Sequence, residues 1–453
     1  MTIEKQTTHT EWDLGFRWGR GLFTAAESAN LSQLLARKMS KTAAASLGIC
    51  AQECKETMHK AVEEALQATR ELPSEAKIAL FTHPTLSRWS ENVIDALSRF
   101  RHESTPLPVS IISQDYMRLV AGASLAAGAD RSFTFLSGTV LPHIGVELIG
   151  GDEGLTCEVA VLNNHLRIRS HKSDIHLPLQ RCRDGLFHAS VGTGVIPSFT
   201  CGGFNIHIDI VDPTFKDGWI PDAQFPGGIR LAAAAHEDLP EWSNALSAAA
   251  MVVEKILPET ATMIGRLIKS FVPLVSSIPE RAFSISDSRY PGAIMATIDG
   301  PPVLAETIVH EFRHNLLHQL EHSHPLYLQD SPTEARFYSP WRNDPRPLHG
   351  LLHALFVFID VCAIHAGVRK HGFGDENDLD DSALRIAGNM LRLQGAIQEF
   401  QTHAKLTQFG QGFVEGISKA IDSLNADFES LPKAIHTQAI EIVHAHRKEF
   451  SHG

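Results

Sequence analysis

Residues 301–324 read PPVLAETIVHEFRHNLLHQLEHSH, with the pattern His-Glu-Phe-Arg-His at positions 310–314. Two prolines suit the start of a helix, and apolar residues recur at three- and four-residue steps, so the stretch predicts a buried α-helix. Residues four apart lie on one face of a helix. His310 and His314 are therefore predicted to converge on one metal ion, with Glu311 beside it as a proton carrier.

The four-residue spacing continues beyond this pair to His318 and His322. Four residues advance a helix by about 400°, so each step drifts by about 40° and only neighbouring members of the row can share one ion. We therefore predict that His310 and His314 bind the metal and that His318 and His322 are mostly bystanders.

The size and composition of the chain indicate an ordinary soluble protein. Its 453 residues predict two or three units, and the hydrophobic share of 43% is that of a globular protein. The net charge of −12 argues against a nucleic acid or an anionic membrane as the main partner, because both attract basic surfaces. A peptide partner fits this charge, and nothing in the sequence indicates an oligomeric state.

Cysteine usage and the N-terminus predict a cytoplasmic location. The six cysteines are scattered and form no C-x-x-C pair, which favours reduced thiols over a disulfide framework or a thiolate zinc site. The first twelve residues are polar and lack the apolar core of a signal peptide. No later apolar run is expected to reach the length of a membrane span.

Hydrophobic periodicity predicts an α+β fold in three consecutive regions: a mainly helical N-terminal region over 1–130, a β-rich region over 131–235, and a helical metal-binding catalytic region over 236–453. The middle region is predicted to form a mostly antiparallel central sheet with one wet face. His207 and Asp209 alternate there with isoleucines, and we interpret them as solvated polar residues rather than a second metal site.

The last region is predicted to surround a zincin-like metal helix with further helices. A hairpin or edge strand precedes that helix, and its edge suits an extended peptide. A proline-rich loop follows the metal helix. The predicted segments are helices over Leu246–Leu257 and Ala261–Val275, the hairpin over Ala282–Ile298, the loop Ser331–Pro347, an apolar helix over Leu348–His365 and a helical tail over Asp380–Phe450.

Two histidines are too few to hold a catalytic metal, so a third ligand must come from elsewhere. A metzincin would have glycine at position 317 and histidine at position 320, where this chain has leucines, so that class is excluded. Three candidates stay open, ranked His353, His349 and Glu334. His353 ranks first because it lies deeper in an apolar run, where an unpaired polar group is costly.

The motif is accompanied by PWRNDPRP at positions 340–347 and by Gly-Leu-Leu-His at 350–353. Together, over roughly residues 280–365, they resemble the family described as HExxH motif-containing peptide-modification proteins. That resemblance implies an iron(II)- and 2-oxoglutarate-dependent β-hydroxylase acting on a ribosomally synthesised precursor peptide.

An enzyme of that kind needs three protein ligands, open metal positions and a cation for the far carboxylate of 2-oxoglutarate. Arg346 and then Arg342 are the candidates for that cation, and the alternative is a loop in which they pair with Asp344. Glu311 would then orient ligands or water. A zinc metallopeptidase with Glu311 as general base is the competing reading, and a non-catalytic peptide-binding protein is the third.

Overall fold

The computed structural model describes residues 11–53, 56–103, 108–148, 156–189, 192, 194–209, 231–233, 238–277 and 282–450. Contacts divide the chain into two units. The helical unit comprises Met1–Glu27, Ala248–Ala261 and Asp299–Gly453, and the sheet unit comprises Ser28–Ser247 and Thr262–Ile298. The boundaries predicted after residues 130 and 235 both lie inside the sheet unit.

The N-terminal part of the described chain is helical, as predicted. A buried apolar core joins the helices of the sheet unit. Trp89 links two of these helices by donating a hydrogen bond from Nε1 to the Ile112 carbonyl at 2.9 Å. Helix α1 Glu11–Gly19 belongs to the helical unit. The helices that follow it are α2 Ala25–Glu53, α3 Glu56–Glu71, α4 Ser74–Thr82, α5 Pro84–Glu103 and α6 Val109–Ala126.

The predicted antiparallel sheet is present, and between its first two strands in the sequence the chain forms a small separate ribbon of two short strands. In the sheet, Asn163 and Asn164 both have positive φ, which suits the tight turn of a hairpin. The five strands run in the order β1 Ser132–Leu136, β4 Thr156–Leu162, β5 His165–Arg169, β6 Asp174–Arg181 and β7 Phe187–Ala189, and the ribbon is β2 Val140–Leu141 with β3 Val146–Glu147.

A second sheet in the sheet unit is mixed, which the sequence interpretation did not foresee. Its order is β12-β13-β11-β9-β8, with β10 paired to β11, and β11 is parallel to both β9 and β13. Parallel neighbours need a long crossover, which the chain between β9 and β11 supplies. The strands are β8 Ser198–Cys201, β9 Phe204–Ile208, β10 Leu231–Ala233, β11 Ser270–Ser276, β12 Ser284–Ile285 and β13 Ala293–Thr297.

One prediction for this part of the chain is wrong and one is confirmed. The helix predicted over Ala261–Val275 ends early: α7 spans Leu239–Ile256, α8 spans Pro258–Leu267, and β11 follows. A short continuous apolar run fits a buried strand as well as a helix, so periodicity did not separate them. The hairpin predicted over Ala282–Ile298 is present: β12 pairs antiparallel with β13, and β12 stands at one end of the strand order, whereas β13 is fully buried between β12 and β11.

His207 and Asp209 do not face water. Their exposed fractions are 5% and 1%, because β9 lies inside the second sheet. We call His83, His143, His188 and His207 the buried histidine cluster. Its rings pack in pairs: the centroids of His83 and His143 are 4.6 Å apart, and Nδ1 of His188 lies 3.3 Å from Nε2 of His207.

The helix predicted to carry the metal motif, called the metal helix below, and the helical tail are both present in the helical unit. The metal helix begins after Gly300, and the next helix ends at Gly372, whose positive φ of 68° is typical of a helix terminus. The elements are α9 Pro301–Ser323, β14 Arg336–Phe337, β15 Arg346–Pro347, α10 Leu348–His371, α11 Glu376–His403, α12 Gln408–Ser423, α13 Asn425–Glu429 and α14 Lys433–Phe450.

The first helix of the helical unit packs backbone to backbone against α12. A β-carbon at Gly15 would lie 2.2 Å from the Phe409 carbonyl oxygen, and one at Gly412 would lie 2.1 Å from the Trp12 carbonyl oxygen. Glycines four residues apart on both helices make this approach possible, since any side chain would separate them. The N-terminal helix is therefore part of the core of the helical unit.

Helix α10 is long and apolar enough to cross a membrane, which corrects the expectation that no run approaches that length. Most of the helix is buried against the rest of the protein. Such burial is typical of the core helix of a soluble protein.

Candidate metal centre

Helices α9 and α10 bring His314 and His353 into contact, and His310 lies one turn before His314 on α9. On α9, the ring centroids of His310 and His314 are 4.9 Å apart. On α10, His353 turns toward them, and its Nδ1 lies 2.9 Å from Nδ1 of His314. Nitrogens bound to one tetrahedral metal ion at about 2.0–2.1 Å would be separated by roughly 3.3 Å, so this contact is close to a shared-ion geometry.

A second neighbour of His353 changes the interpretation of His318. The rings of His353 and His318 have centroids 4.5 Å apart, and Nε2 of His353 lies 3.4 Å from Oε2 of Glu321. Among the described residues, His318, Glu321 and His353 are the group whose ligand atoms all lie within 4.8 Å of one another. We call His310, His314, His353 and His318 the histidine row.

His318 is therefore not the bystander that the sequence suggested. The drift argument considered one helix alone, and His353 enters from the next helix between His314 and His318. His322 does lie apart: it is exposed, and its Nδ1 is 2.6 Å from the His318 carbonyl oxygen.

The two nitrogens of His353 face two different donor sets. A neutral imidazole has one lone pair and one N–H. If Nδ1 binds the ion with His314 and His310, then Nε2 carries the proton and donates it to Glu321. That carboxylate–histidine–metal arrangement fixes the ring and makes it a stronger ligand. If Nε2 binds instead, the ion lies with Glu321 and His318.

The electrostatics of the site suit a divalent cation. Burial, together with the charges of His310 and His353, holds the pKa of His314 well below its usual range, so the ring is neutral at pH 7. Burial raises the pKa of Glu321, but the hydrogen bond and charge of His353 outweigh it and the net shift is downward. Neutral imidazoles with a carboxylate are donors that suit zinc or iron.

Glu311, the acidic member of the motif, is buried beside the first histidine. Its Oε1 lies 3.9 Å from Nε2 of His310. At this distance the carboxylate can orient His310 or receive a proton from water held nearby.

The arginine-bearing loop is fixed at both ends. Strands β14 and β15 pair across it, and Trp341 stacks on Phe358 with centroids 4.7 Å apart while donating from Nε1 to Asn389. Phe358 also meets the edge of His310, with centroids 5.4 Å apart. The loop is thus anchored, through Trp341 and Phe358, beside His310.

Both candidate arginines pair with Asp344, which is the alternative that the sequence left open. Arg342 Nε donates to it at 2.9 Å and Arg346 Nη1 at 3.3 Å. They differ in position: the charge of Arg346 helps to lower the pKa values of His314 and His349, whereas Arg342 is 57% exposed. Arg346 is therefore the better placed of the two.

The other candidates for the third ligand lie farther out. His349 is exposed, with its ring centroid 6.5 Å from that of His353. Glu334 is exposed too, and its charge acts on His349, whose pKa it raises against the larger lowering effect of burial. Of the three, the structure brings His353 against His314.

Sequence reasoning missed a buried polar network one turn before His310. Glu306 accepts hydrogen bonds from His365 Nε2 and Arg385 Nη1, both at 2.8 Å, and the other nitrogen of His365 lies 3.0 Å from Ser382 Oγ. Ser382 is fully buried, so this arrangement of serine, histidine and glutamate stabilises the packing of α9, α10 and α11. Its only sequence signal is a carboxylate four residues before a motif histidine.

A cleft of about 390 Å³ adjoins the site through Phe358 and Glu306. Trp341, Asn389, Arg385 and Arg392 also line it. The cleft therefore offers cationic, amide and aromatic groups beside the histidine row. Neither a scan against protein-family models nor a search of curated proteins found a match to this chain.

Proposed function

We propose that the chain is an iron(II)- and 2-oxoglutarate-dependent enzyme that β-hydroxylates a residue in a ribosomally synthesised precursor peptide. The observation that supports it best is the 2.9 Å approach of His314 and His353 from successive helices, with His310 alongside. Three imidazoles leave coordination positions for a keto acid and dioxygen. The resemblance of the motif and loop to a peptide-modification family supplies the reaction class.

In this proposal His310, His314 and His353 hold the metal. Bound iron(II) would supply the activation of dioxygen, with 2-oxoglutarate as the co-reductant. The overall reaction converts a peptide C–H bond, dioxygen and 2-oxoglutarate to a C–OH group, succinate and carbon dioxide. Arg346 would hold the far carboxylate of 2-oxoglutarate by exchanging Asp344 for it.

The surrounding side chains have supporting roles. Glu321 fixes the tautomer of His353 by accepting from Nε2, and Phe358 with Trp341 excludes water from one side of His310. The cleft beside Phe358 would receive the side chain to be modified. The described cysteines are free thiols (Cys50, Cys157, Cys182, Cys201 and Cys362), which supports a reducing compartment such as the cytoplasm.

The second candidate is a zinc metallopeptidase, and the place of Glu311 beside His310 favours it. There Glu311 would take the proton of the attacking water while the metal polarises the peptide carbonyl. The site of Arg346 near the histidines has no role in that reaction, whereas the hydroxylase needs a cation there.

The test is an assay of the full chain, purified without oxygen. Iron(II), 2-oxoglutarate, oxygen and a candidate precursor peptide should yield succinate and a gain of one oxygen atom on the peptide. Cleavage of the peptide with zinc, lost in Glu311→Gln, would replace this proposal by the peptidase. If the chain binds the peptide but makes neither product with either metal, the non-catalytic binding role is correct.

Glu321 gives a prediction that depends on metal binding alone. Glu321→Gln should weaken metal affinity by about 10–100-fold, because the carboxylate no longer fixes His353. Competition with a chromogenic chelator measures this. The control is Glu334→Gln, an exposed carboxylate that should leave the affinity unchanged. Equal affinities of the two variants would contradict the role given to Glu321.

The two arginines provide a matched pair, since both contact Asp344. Arg346→Gln should raise the KM for 2-oxoglutarate by about 10–100-fold, as the loss of a hydrogen bond between charged groups removes roughly 1.5–3 kcal/mol. Arg342→Gln should leave it within about twofold, because that exposed side chain lies away from the histidines. Steady-state succinate formation checks this, and the reverse order would assign the cofactor contact to Arg342.

A further inference from the structure

The sheet unit contains a pocket that the histidine row does not use. Its volume is about 330 Å³, and three basic side chains, Arg183, Arg266 and Lys269, line it around the ring of Phe204. We call this the cationic pocket. Its remaining wall is mostly apolar and hydroxyl side chains, among them Ile78, Ala79, Thr82 and Leu186, and it also includes Gln33 and the carboxylates Glu75 and Asp184.

The three cations converge on one buried ring. Cζ of Arg183 and Cζ of Arg266 lie 5.6 and 5.5 Å from the centroid of Phe204, and Nζ of Lys269 lies 6.0 Å from it. A contact of a cation with an aromatic ring contributes roughly 0.5–2 kcal/mol. Like charges gathered at such distances repel one another, so this arrangement favours an anion between them.

The protein neutralises these charges only in part: the charge of Asp184 acts on both Arg266 and Lys269. Nε of Arg266 is buried and has no hydrogen-bond partner in the described part of the chain. Within the described ranges, no carboxylate oxygen lies within 4.0 Å of the charged nitrogens of Arg266 or Lys269. Burial lowers the pKa of both groups. Hydrogen-bonding capacity and positive charge are thus available to a ligand.

The carboxylates that line the pocket are engaged or exposed. Asp184 Oδ1 accepts from the Leu186 backbone N–H at 3.1 Å, and Glu75 is exposed at the surface. Arg183 is fixed by donating from Nη1 to the Gly202 carbonyl at 2.9 Å, on the turn between β8 and β9. The cations are therefore held in place without internal salt bridges.

We propose that the cationic pocket binds a phosphomonoester of a small metabolite. A phosphate group carries about −1.5 to −2 charges at pH 7 and three acceptor oxygens, which match two guanidinium groups and an ammonium. A lone carboxylate would occupy one guanidinium fork and leave the other cations unpaired. The apolar and hydroxyl side chains of the wall accommodate the organic part of the ligand. That part must be small, because the pocket volume of about 330 Å³ lies at the lower end of the roughly 300–1,000 Å³ that ligand pockets span.

The experiment titrates the full chain with inorganic phosphate and, separately, with glycerol 3-phosphate, at constant ionic strength, by calorimetry. We expect saturable binding of both, with glycerol 3-phosphate binding more tightly. Lys269→Gln and Arg183→Gln should each weaken binding by roughly tenfold or more. Circular dichroism of the variants shows that the fold is retained.

Arg181→Gln is the matched control. Its Cζ also lies over an aromatic ring, 5.8 Å from the centroid of Phe187, and its Nε donates to the Gly185 carbonyl at 3.2 Å, but it does not line the pocket. The affinity of the Arg181→Gln variant for both phosphate probes should equal that of the unmodified chain. No saturable binding by the unmodified chain, or equal weakening by Arg181→Gln, would overturn the proposal. Equal affinities for the two probes would overturn the assignment of an ester.

Discussion

Replacing Asp360 with asparagine is expected to lower the free energy of unfolding of the helical unit by about 3–5 kcal/mol, because it leaves a buried guanidinium without its counter-charge. Arg313, the fourth residue of the metal motif, is 2% exposed. Its Nε donates to Asp360 at 2.7 Å, its Nη2 donates to the same oxygen, and its Nη1 has no hydrogen-bond partner among the residues that the structure describes.

The packing around Arg313 and Asp360 leaves little space for another group to replace the carboxylate. The Arg313 guanidinium lies 4.9 Å from the Phe356 ring centroid, and a β-carbon at Gly21 would come within 2.5 Å of Nη2. Water cannot readily replace the lost carboxylate in such packing. A charge stranded in a buried site costs far more than the net gain from the intact pair.

Urea unfolding followed by circular dichroism measures the loss. Asp344→Asn is the control: this carboxylate also pairs with arginine, but it is exposed, so removing it should cost at most about 1 kcal/mol. The double variant Arg313→Met, Asp360→Leu should recover much of the stability, since no buried charge remains. Similar losses for Asp360→Asn and Asp344→Asn would contradict the burial argument.

Acidification from pH 7 to pH 4.5 is expected to destabilise the sheet unit by several kcal/mol through the buried histidine cluster. Burial, reinforced by neighbouring charges, lowers the pKa of His143 and His207 to about 3 each, and that of His188 to about 4. In the unfolded chain each has a pKa of about 6.5. Between these values the unfolded state binds protons that the folded state does not.

The direction follows from this difference in proton binding. The stability that the buried histidine cluster contributes is fully present above about pH 6.5 and is lost progressively as the pH falls toward 4. Each histidine contributes a slope of about 1.4 kcal/mol per pH unit, so three together approach about 4 kcal/mol per pH unit near pH 5. His83, whose pKa is also depressed by burial, acts in the same direction.

Urea midpoints at several pH values between 7.5 and 4.5 test this. His143 lies near the backbone of Ala79, but neither ring nitrogen forms a hydrogen bond of normal geometry. His143→Leu should therefore reduce the slope of the unfolding free energy against pH by the contribution of about one proton, or roughly 1.4 kcal/mol per pH unit. His171→Gln, at an exposed position, should not change it. A flat unfolding free energy between pH 7 and 5 would refute the prediction.

Local patterns predicted the parts of the structure that depend on neighbours in sequence. The bounds of α9 follow from its two prolines and its apolar spacing, and the Asn163-Asn164 turn joins β4 to β5 as expected. The mixed second sheet was not predictable in this way. The pairing of β11 with β9 and β13 depends on distant segments, and periodicity carries no information about which strands become neighbours.

The candidate site also combines features that depend on neighbours in sequence with features that depend on distant segments. His310 and His314 share one helix face, so their proximity follows from helix geometry. That His353 enters between His314 and His318, and that Glu321 meets its far nitrogen, depends on how two helices pack. The buried ion pair of Arg313 could not be predicted for another reason: its partner Asp360 is 47 residues away in the sequence. A charged residue inside a motif gives no sign of whether it faces the ion or the core.

The close approach of α1 and α12 also has a consequence for biosynthesis. Between Gly19 and Gln408 the ribosome must add 408 − 19 = 389 residues. At about 5–20 residues per second, the N-terminal helix emerges roughly 20–80 seconds before the surface it packs against exists. During that interval its aromatic side chains have no native partner on α12, which makes this helix a natural client for a nascent-chain chaperone.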